Sequence, residues 1–190
     1  MRDLLSGIEA DLDGVVVQDG GWETPTYIKP VREQSEESRL DLGCFNALSD
    51  RSAQTLLERL EQSLPDLDVV VVNQQLARGI HTPFLVERLR ELMRSRADKT
   101  FIVDSRDIPG SYPDAIHKLN AYEAARLCSG GFEPRDFIPR EAVLRAAAEL
   151  AARWQHPLIV SRGERGCVVV AGGEETIVPG LHIVERTDAV

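Results

Sequence analysis

One alternation limits what this chain can fold into more than anything else in it. Between Asp68 and Asp104 a β-branched run, an amphipathic helix and a second apolar run follow one another. Asp68–Val72 has the composition of a strand covered on both faces. Asn73–Gly79 reads as a polar loop. Thr82–Pro83 then starts a helix, a capping hydroxyl followed by proline at the first helical position. Leu85, Val86, Leu89, Leu92 and Met93 give that helix a buried stripe. Thr100–Val103 is the next strand, ending in Asp104. Such a strand–helix–strand unit is a parallel crossover, expected to be right-handed, and it commits the chain to an α/β sheet.

The flanks extend the pattern. Residues 1–9 read as the tail of a helix, and Val15–Val17 as a short strand after the Asp13–Gly14 turn. Thr26–Arg32 and Ser38–Gly43, joined by Glu33–Glu37, read as a hairpin, with Pro30 confining the first run to an edge or bulge. That hairpin, rich in Lys29, Arg32, Arg39 and Asp41, is either a solvated flap or a lid over a site. Ser49 is the expected N-cap of a helix whose Ala53, Leu56, Leu57, Leu60 and Leu64 share one face, stopped by Pro65. Pro139 introduces an Ala-rich helix to Trp154, followed by strands at Leu158–Val160, Cys167–Ala171, Thr176–Val178 and His182–Val184.

Composition narrows the function. At 190 residues, 43% hydrophobic and 28% charged, the chain can bury a sizeable core. A net charge of −9 argues against a nucleic-acid or membrane-surface partner. No apolar run is long enough to span a bilayer, and the N-terminus lacks a signal-peptide core. Cys44, Cys128 and Cys167, odd in number and scattered, fit small core residues in a reducing cytoplasm. No zinc-ligand spacing is visible.

Two short stretches can carry chemistry. Asn120 and Glu123, three apart at a helix start, have capping-box spacing, which an ordinary helix cap explains fully. The same position offers free N–H groups and the positive end of a helix dipole to an anion. Ser161-Arg162-Gly163-Glu164-Arg165-Gly166, at the end of a buried strand, pairs a hydroxyl with two glycines that permit close backbone approach. Asp104 stands at the end of the strand before the first of these, where open α/β sheets place ligands, with Arg106 two positions on.

The order of these stretches resembles the PfkB (ribokinase-like) carbohydrate kinases. Lys118-Leu119-Asn120-Ala121-Tyr122-Glu123 is similar to the family's Lys-Pro-Asn-x-x-Glu motif. Ser161–Gly166 is similar to its Thr-x-Gly-x-x-Gly turn, and Asp188-Ala189-Val190 to the opening of Asp-x-x-Gly-Ala-Gly-Asp. Thr24–Lys29 with Arg39-Leu40-Asp41 resembles the lid hairpin, nearest that of the heptose-phosphate kinase domain of ADP-heptose synthesis. Asn73-Gln74-Gln75, however, stands where that subgroup tends to have Ser-Asp-Tyr.

The resemblance implies a three-layer α/β/α, mostly parallel, Rossmann-like sheet with a small β lid. Its lid region would cover residues 13–43 and its nucleotide-binding core residues 49–190. It implies ATP-dependent phosphorylation of a sugar or sugar-phosphate hydroxyl, chemistry that rests on positioning and charge neutralisation. Asn120, Ser161, Gly163 and Gly166 would contact the nucleotide. Glu123 would hold Mg2+ through water, Asp188 a monovalent cation such as K+, and Lys29 and Arg39 the substrate. The family's catalytic Asp would follow immediately after Val190, and its first strands would precede Met1. The expectation is therefore a partial kinase domain, inactive by itself. A non-catalytic nucleotide-binding module is the alternative, and a homodimer through the hairpin a further one.

Overall fold

β-Branched runs, caps and prolines set the element boundaries. The computed structural model describes residues 2–33, 35–128, 131–134 and 136–181. A short helix α1 (Arg2–Ser6) precedes four small strands, β1 (Thr26–Ile28), β2 (Val31–Arg32), β3 (Ser35–Glu36) and β4 (Leu40–Leu42). Then come α2 (Asp50–Ser63), β5 (Val69–Gln74), α3 (Pro83–Ser95), β6 (Thr100–Ser105), β7 (Ile116–Asn120), α4 (Ala121–Cys128) and α5 (Arg140–Trp154). The last strands are β8 (Leu158–Ser161), β9 (Cys167–Ala171) and β10 (Glu174–Val178). The chain divides into two compact units, Met1–Asp68 with Leu76–Lys99, and Val69–Gln75 with Thr100–Val190.

In the first unit β1 pairs with β4 antiparallel, Tyr27 opposite Asp41, while β2 and β3 form a second, smaller ladder. The expected hairpin is present, broken into two ladders at Lys29–Pro30 because proline has no N–H to give. Ser49 caps α2, its Oγ accepting from the Ser52 N–H at 3.1 Å, and Thr82 caps α3 through the Leu85 N–H at 3.3 Å. The strand expected at Val15–Val17 does not form. Val15 N–H closes a turn onto the Leu12 carbonyl, and Arg59 Nη1 donates to the carbonyls of Asp13 and Val15, so this backbone is satisfied by a helix side chain and not by a neighbouring strand. The strand expected at His182–Val184 lies outside the described residues.

The second unit is a six-stranded sheet in the order β10-β9-β8-β7-β6-β5. β5 through β8 are parallel, and β9 and β10 turn back antiparallel. The fold is α/β and mostly parallel. Leu119, Leu158, Val160, Val168 and Val170 point to one face and pack with Val143, Ala146, Ala147 and Leu150 of α5 and Ala124 and Ala125 of α4. The alternation of strands sends Lys118, Ile159, Ser161, Cys167 and Val169 to the opposite face, where they are half-buried.

Two strand readings are corrected. β5 is an edge strand, with Val69 44% and Val71 63% exposed, so its β-branched run is covered on one face only. The polar loop read from Asn73 begins two residues later, since Asn73 and Gln74 pair with Asp104 and Ser105. All four parallel strands finish on a polar residue, Gln74, Ser105, Asn120 and Ser161, in register as Gln74–Ser105 and Asn120–Ser161.

Candidate functional site

At that end of the sheet lies a cavity of about 680 Å³. Asn120 and Glu123 line it from the start of α4, and Ser161, Arg162, Gly163, Glu164 and Arg165 from the turn between β8 and β9. Arg106, Asp107, Arg126 and the segment around Phe137 complete it.

The α4 start is a reciprocal capping box. Asn120 Oδ1 accepts from the Glu123 N–H at 2.8 Å, and Glu123 Oε2 accepts from the Asn120 N–H at 2.8 Å. Glu123 is buried, so the box orders its carboxylate and leaves the remaining α4 N–H groups at the cavity. Ser161 Oγ donates to the Leu119 carbonyl at 3.3 Å, tying the two cradles together at the strand ends.

The glycines in the turn differ in what they are for. Gly163 has φ +60°, and a side chain there would meet nothing within 4 Å. Its neighbourhood is open cavity. Gly166 does not line the cavity; it has φ +80°, and an added Cβ would lie 2.5 Å from the Gly180 nitrogen and closer still to the Val178 carbonyl oxygen. Its small size is a packing requirement between the turn and the end of β10.

Four arginines surround the cavity: Arg106, Arg126, Arg162 and Arg165. Arg126 Nη2 donates to the Arg106 carbonyl at 3.3 Å, and the Arg165 guanidinium lies 4.5 Å from the Phe137 ring centroid. Four carboxylates line it too, but three are engaged in fixing the chain. Asp107 accepts from Gln74 Nε2 at 2.8 Å, Asp136 from the Glu133 N–H at 2.8 Å, and Glu123 belongs to the box. Planar cations beside a helix N-terminus suit a phosphate-bearing anion.

Other expected site residues lie elsewhere. Asp104 accepts from Lys118 Nζ at 3.0 Å across the β6–β7 register, a satisfied strand-end carboxylate that does not line the cavity. Lys29 and Arg39 belong to the hairpin of the first unit. Arg39 makes two bonds to Asp41, at 2.6 and 2.8 Å, and stacks over Tyr27 at 4.4 Å. That pairing raises the guanidinium pKa and holds the Asp41 carboxyl below its usual range. Asp188 lies outside the described residues. Among the described residues no group of three or more His, Cys, Asp or Glu side chains could hold a metal ion. Glu123 alone would suit the mode in which Mg2+ takes one carboxylate and completes its shell with phosphate oxygens and water.

Arg126, Arg162, Arg165 and Phe137 were not singled out from the sequence as site residues. Two of them sit inside the Ser161–Gly166 stretch, and Arg126 follows Glu123 by three positions on α4, so only Phe137 lacked a local signal.

No family model and no curated protein matches the sequence. Solved structures do. Ribokinase from Giardia lamblia is 14% identical with a TM-score of 0.63, over 97% of this chain and 56% of that one. A nucleoside kinase from Burkholderia thailandensis, solved with inosine, is 16% identical with a TM-score of 0.61, over 98% of this chain and 57% of the other. Phosphofructokinase-2 from Escherichia coli, solved with fructose-6-phosphate, is 18% identical with a TM-score of 0.55, over 79% of this chain and 49% of that one. The fold is ribokinase-like, and the chain spans about half the length of the structures it resembles.

Proposed function

We propose that the cavity binds the phosphates of ATP with Mg2+, and that the chain forms the nucleotide-binding core of a carbohydrate kinase of PfkB type. One observation carries the reading: the α4 capping box and the Ser161–Arg165 turn, far apart in sequence, face one cavity ringed by four arginines. Asn120 and the α4 N–H groups would receive phosphate oxygens, Gly163 would let the backbone approach them, and Glu123 would hold Mg2+. The metal would supply charge neutralisation on the transferring phosphoryl group. The acceptor would be a sugar or sugar-phosphate hydroxyl, approached by Lys29 and Arg39 of the hairpin. Heptose phosphate rests on the Thr24–Lys29 and Arg39–Asp41 resemblance alone; the structures named above are of a ribokinase, a nucleoside kinase solved with inosine and a phosphofructokinase solved with fructose-6-phosphate. Asp188 would hold K+, an ion present in one structure of phosphofructokinase-2. Three free thiols support a reducing cytoplasm, and no helix among the described residues is long and apolar enough to cross a membrane. The exposed Tyr27, Ile28, Val31, Leu40 and Leu42 support a second copy as the hairpin's partner, which sedimentation would test.

Titration calorimetry with Mg-ATP tests the central claim. Glu123→Gln keeps an acceptor for the Asn120 N–H, so stability should hold while Mg-dependent affinity falls about ten-fold, the scale of one lost charge-assisted contact. Gly163→Ala should cost only about 1 kcal/mol of stability, the left-handed backbone penalty, yet abolish most nucleotide binding. Wild-type protein that takes up no ATP at millimolar concentration would end the proposal. ATP binding without phosphoryl transfer is expected both of a kinase core taken alone and of the binding-module alternative, whereas measurable transfer to a sugar would exclude the alternative.

A further inference from the structure

Gln74 ends the edge strand β5, is 2% exposed and is the middle residue of the Asn73-Gln74-Gln75 stretch, to which no site role was given above. Its Oε1 accepts from Ser105 Oγ at 2.9 Å and from the Asp107 N–H at 2.9 Å, and its Nε2 donates to Asp107 Oδ2 at 2.8 Å. Its own carbonyl accepts from the Arg106 N–H at 3.1 Å. Ser105 Oγ in turn accepts from the Ile108 N–H at 3.1 Å. One buried amide and its backbone therefore hold the whole turn 105–108. That turn places Arg106 at the cavity, and the Arg106 carbonyl receives Arg126.

A strand end needs no such clasp to terminate. A buried amide serving three side-chain bonds is costly to desolvate, and leaving any of its groups unpaired would be penalised. The arrangement is accounted for if the turn must present its arginine at a fixed place. We infer that Gln74 is a positioning residue for anion binding: through the 105–108 turn it sets Arg106, and through the Arg106 carbonyl Arg126, as one wall of the phosphate site. This role rests on the nucleotide reading above and adds to it a residue that does not line the cavity.

The test uses the full chain, inorganic tripolyphosphate and adenosine as separate probes, and calorimetry. Gln74→Glu sets a carboxylate against Asp107 and removes the donor. Tripolyphosphate affinity should fall about ten-fold, the loss expected when charge-assisted contacts are misplaced, while adenosine affinity stays unchanged. Adding Asp107→Asn restores a donor opposite the acceptor and should recover tripolyphosphate binding to near the level of Asp107→Asn alone. A general loss of structure would not spare adenosine. Gln74→Met, apolar and similar in size, should show the same selective loss, and guards against misfolding caused by the introduced charge.

Unchanged tripolyphosphate affinity in either folded single variant overturns the role of Gln74, as does failure of the paired variant to recover. Wild-type protein that binds neither tripolyphosphate nor ATP overturns the nucleotide reading itself, and that result is read before any variant is made.

Discussion

Gly166→Ala should unfold or severely destabilise the second unit, by about 3 kcal/mol or more, the range of overpacking combined with a forbidden backbone conformation. Two penalties act together. The residue sits at φ +80° and ψ −137°, a region that side chains with a Cβ avoid. The methyl would also be driven into the Val178 carbonyl and the Gly180 nitrogen, which are backbone atoms that cannot rotate aside. Gly172→Ala is the matched control. It shares a positive φ, +59°, but has nothing within 4 Å of the added carbon, so only about 1 kcal/mol should be lost there. Urea unfolding of the two variants separates the terms; equal losses would show that the close approach at Gly166 carries no energy.

Acid should destabilise the same unit through His117. Its ring is fully buried, stacked on Trp154 with centroids 4.0 Å apart, and Nε2 faces the Pro109 carbonyl at 2.9 Å. A carbonyl partner assigns the proton to Nε2, which leaves Nδ1 as an acceptor with no partner among the described residues. A second proton would put a charge into the core. Burial pushes the imidazole pKa below its ordinary 6.5, outweighing the Pro109 and Ala115 carbonyls that favour the charged form, and nearby His156 adds to the lowering. The sign follows from proton counting. Below about pH 6.5 the unfolded chain takes up a proton that the folded chain refuses, so the stabilisation is complete above that pH and is lost as pH falls toward the folded value. In that window the slope approaches about 1.4 kcal/mol per pH unit for one proton. His117→Gln loses the stacking at neutral pH but should not titrate. The stability gap between wild type and variant should therefore narrow from pH 7.5 to 5, whatever the carboxylates contribute to both. A gap constant with pH would refute the assignment.

Much of the architecture was legible because its signals are local. Ser49, Thr82–Pro83 and the Asn120–Glu123 pair each act within one helical turn, and each forms the bonds its spacing implies. The misreadings concern what lies beside a segment. Val69–Val72 has the residues of a covered strand, but whether a strand is central or at an edge depends on elements elsewhere in the chain, and β-propensity does not encode it. Val15–Val17 has strand composition too, yet Arg59, 44 positions away, claims the Val15 carbonyl together with that of Asp13 just before the run. The site divides in the same way. The two backbone cradles could be seen as motifs, whereas Arg106 and Arg126 meet through one hydrogen bond that no spacing predicts. Gln74 read as loop because it is polar, although its side chain is among the most thoroughly buried polar groups in the sheet.

The shared polar finish of β5, β6, β7 and β8 also makes strand length a determinant as strict as residue identity. Successive side chains alternate between faces, so deleting or inserting one residue within β7 would swing Asn120 to the wrong side of the sheet and exchange His117 and Leu119 for their half-buried neighbours Ile116 and Lys118. An insertion ahead of Lys118 would leave every motif letter in place and the cradle would still be lost. Indels in the loops leading into these strands can be absorbed; within them, the reading frame of the pleat is fixed from the core outward.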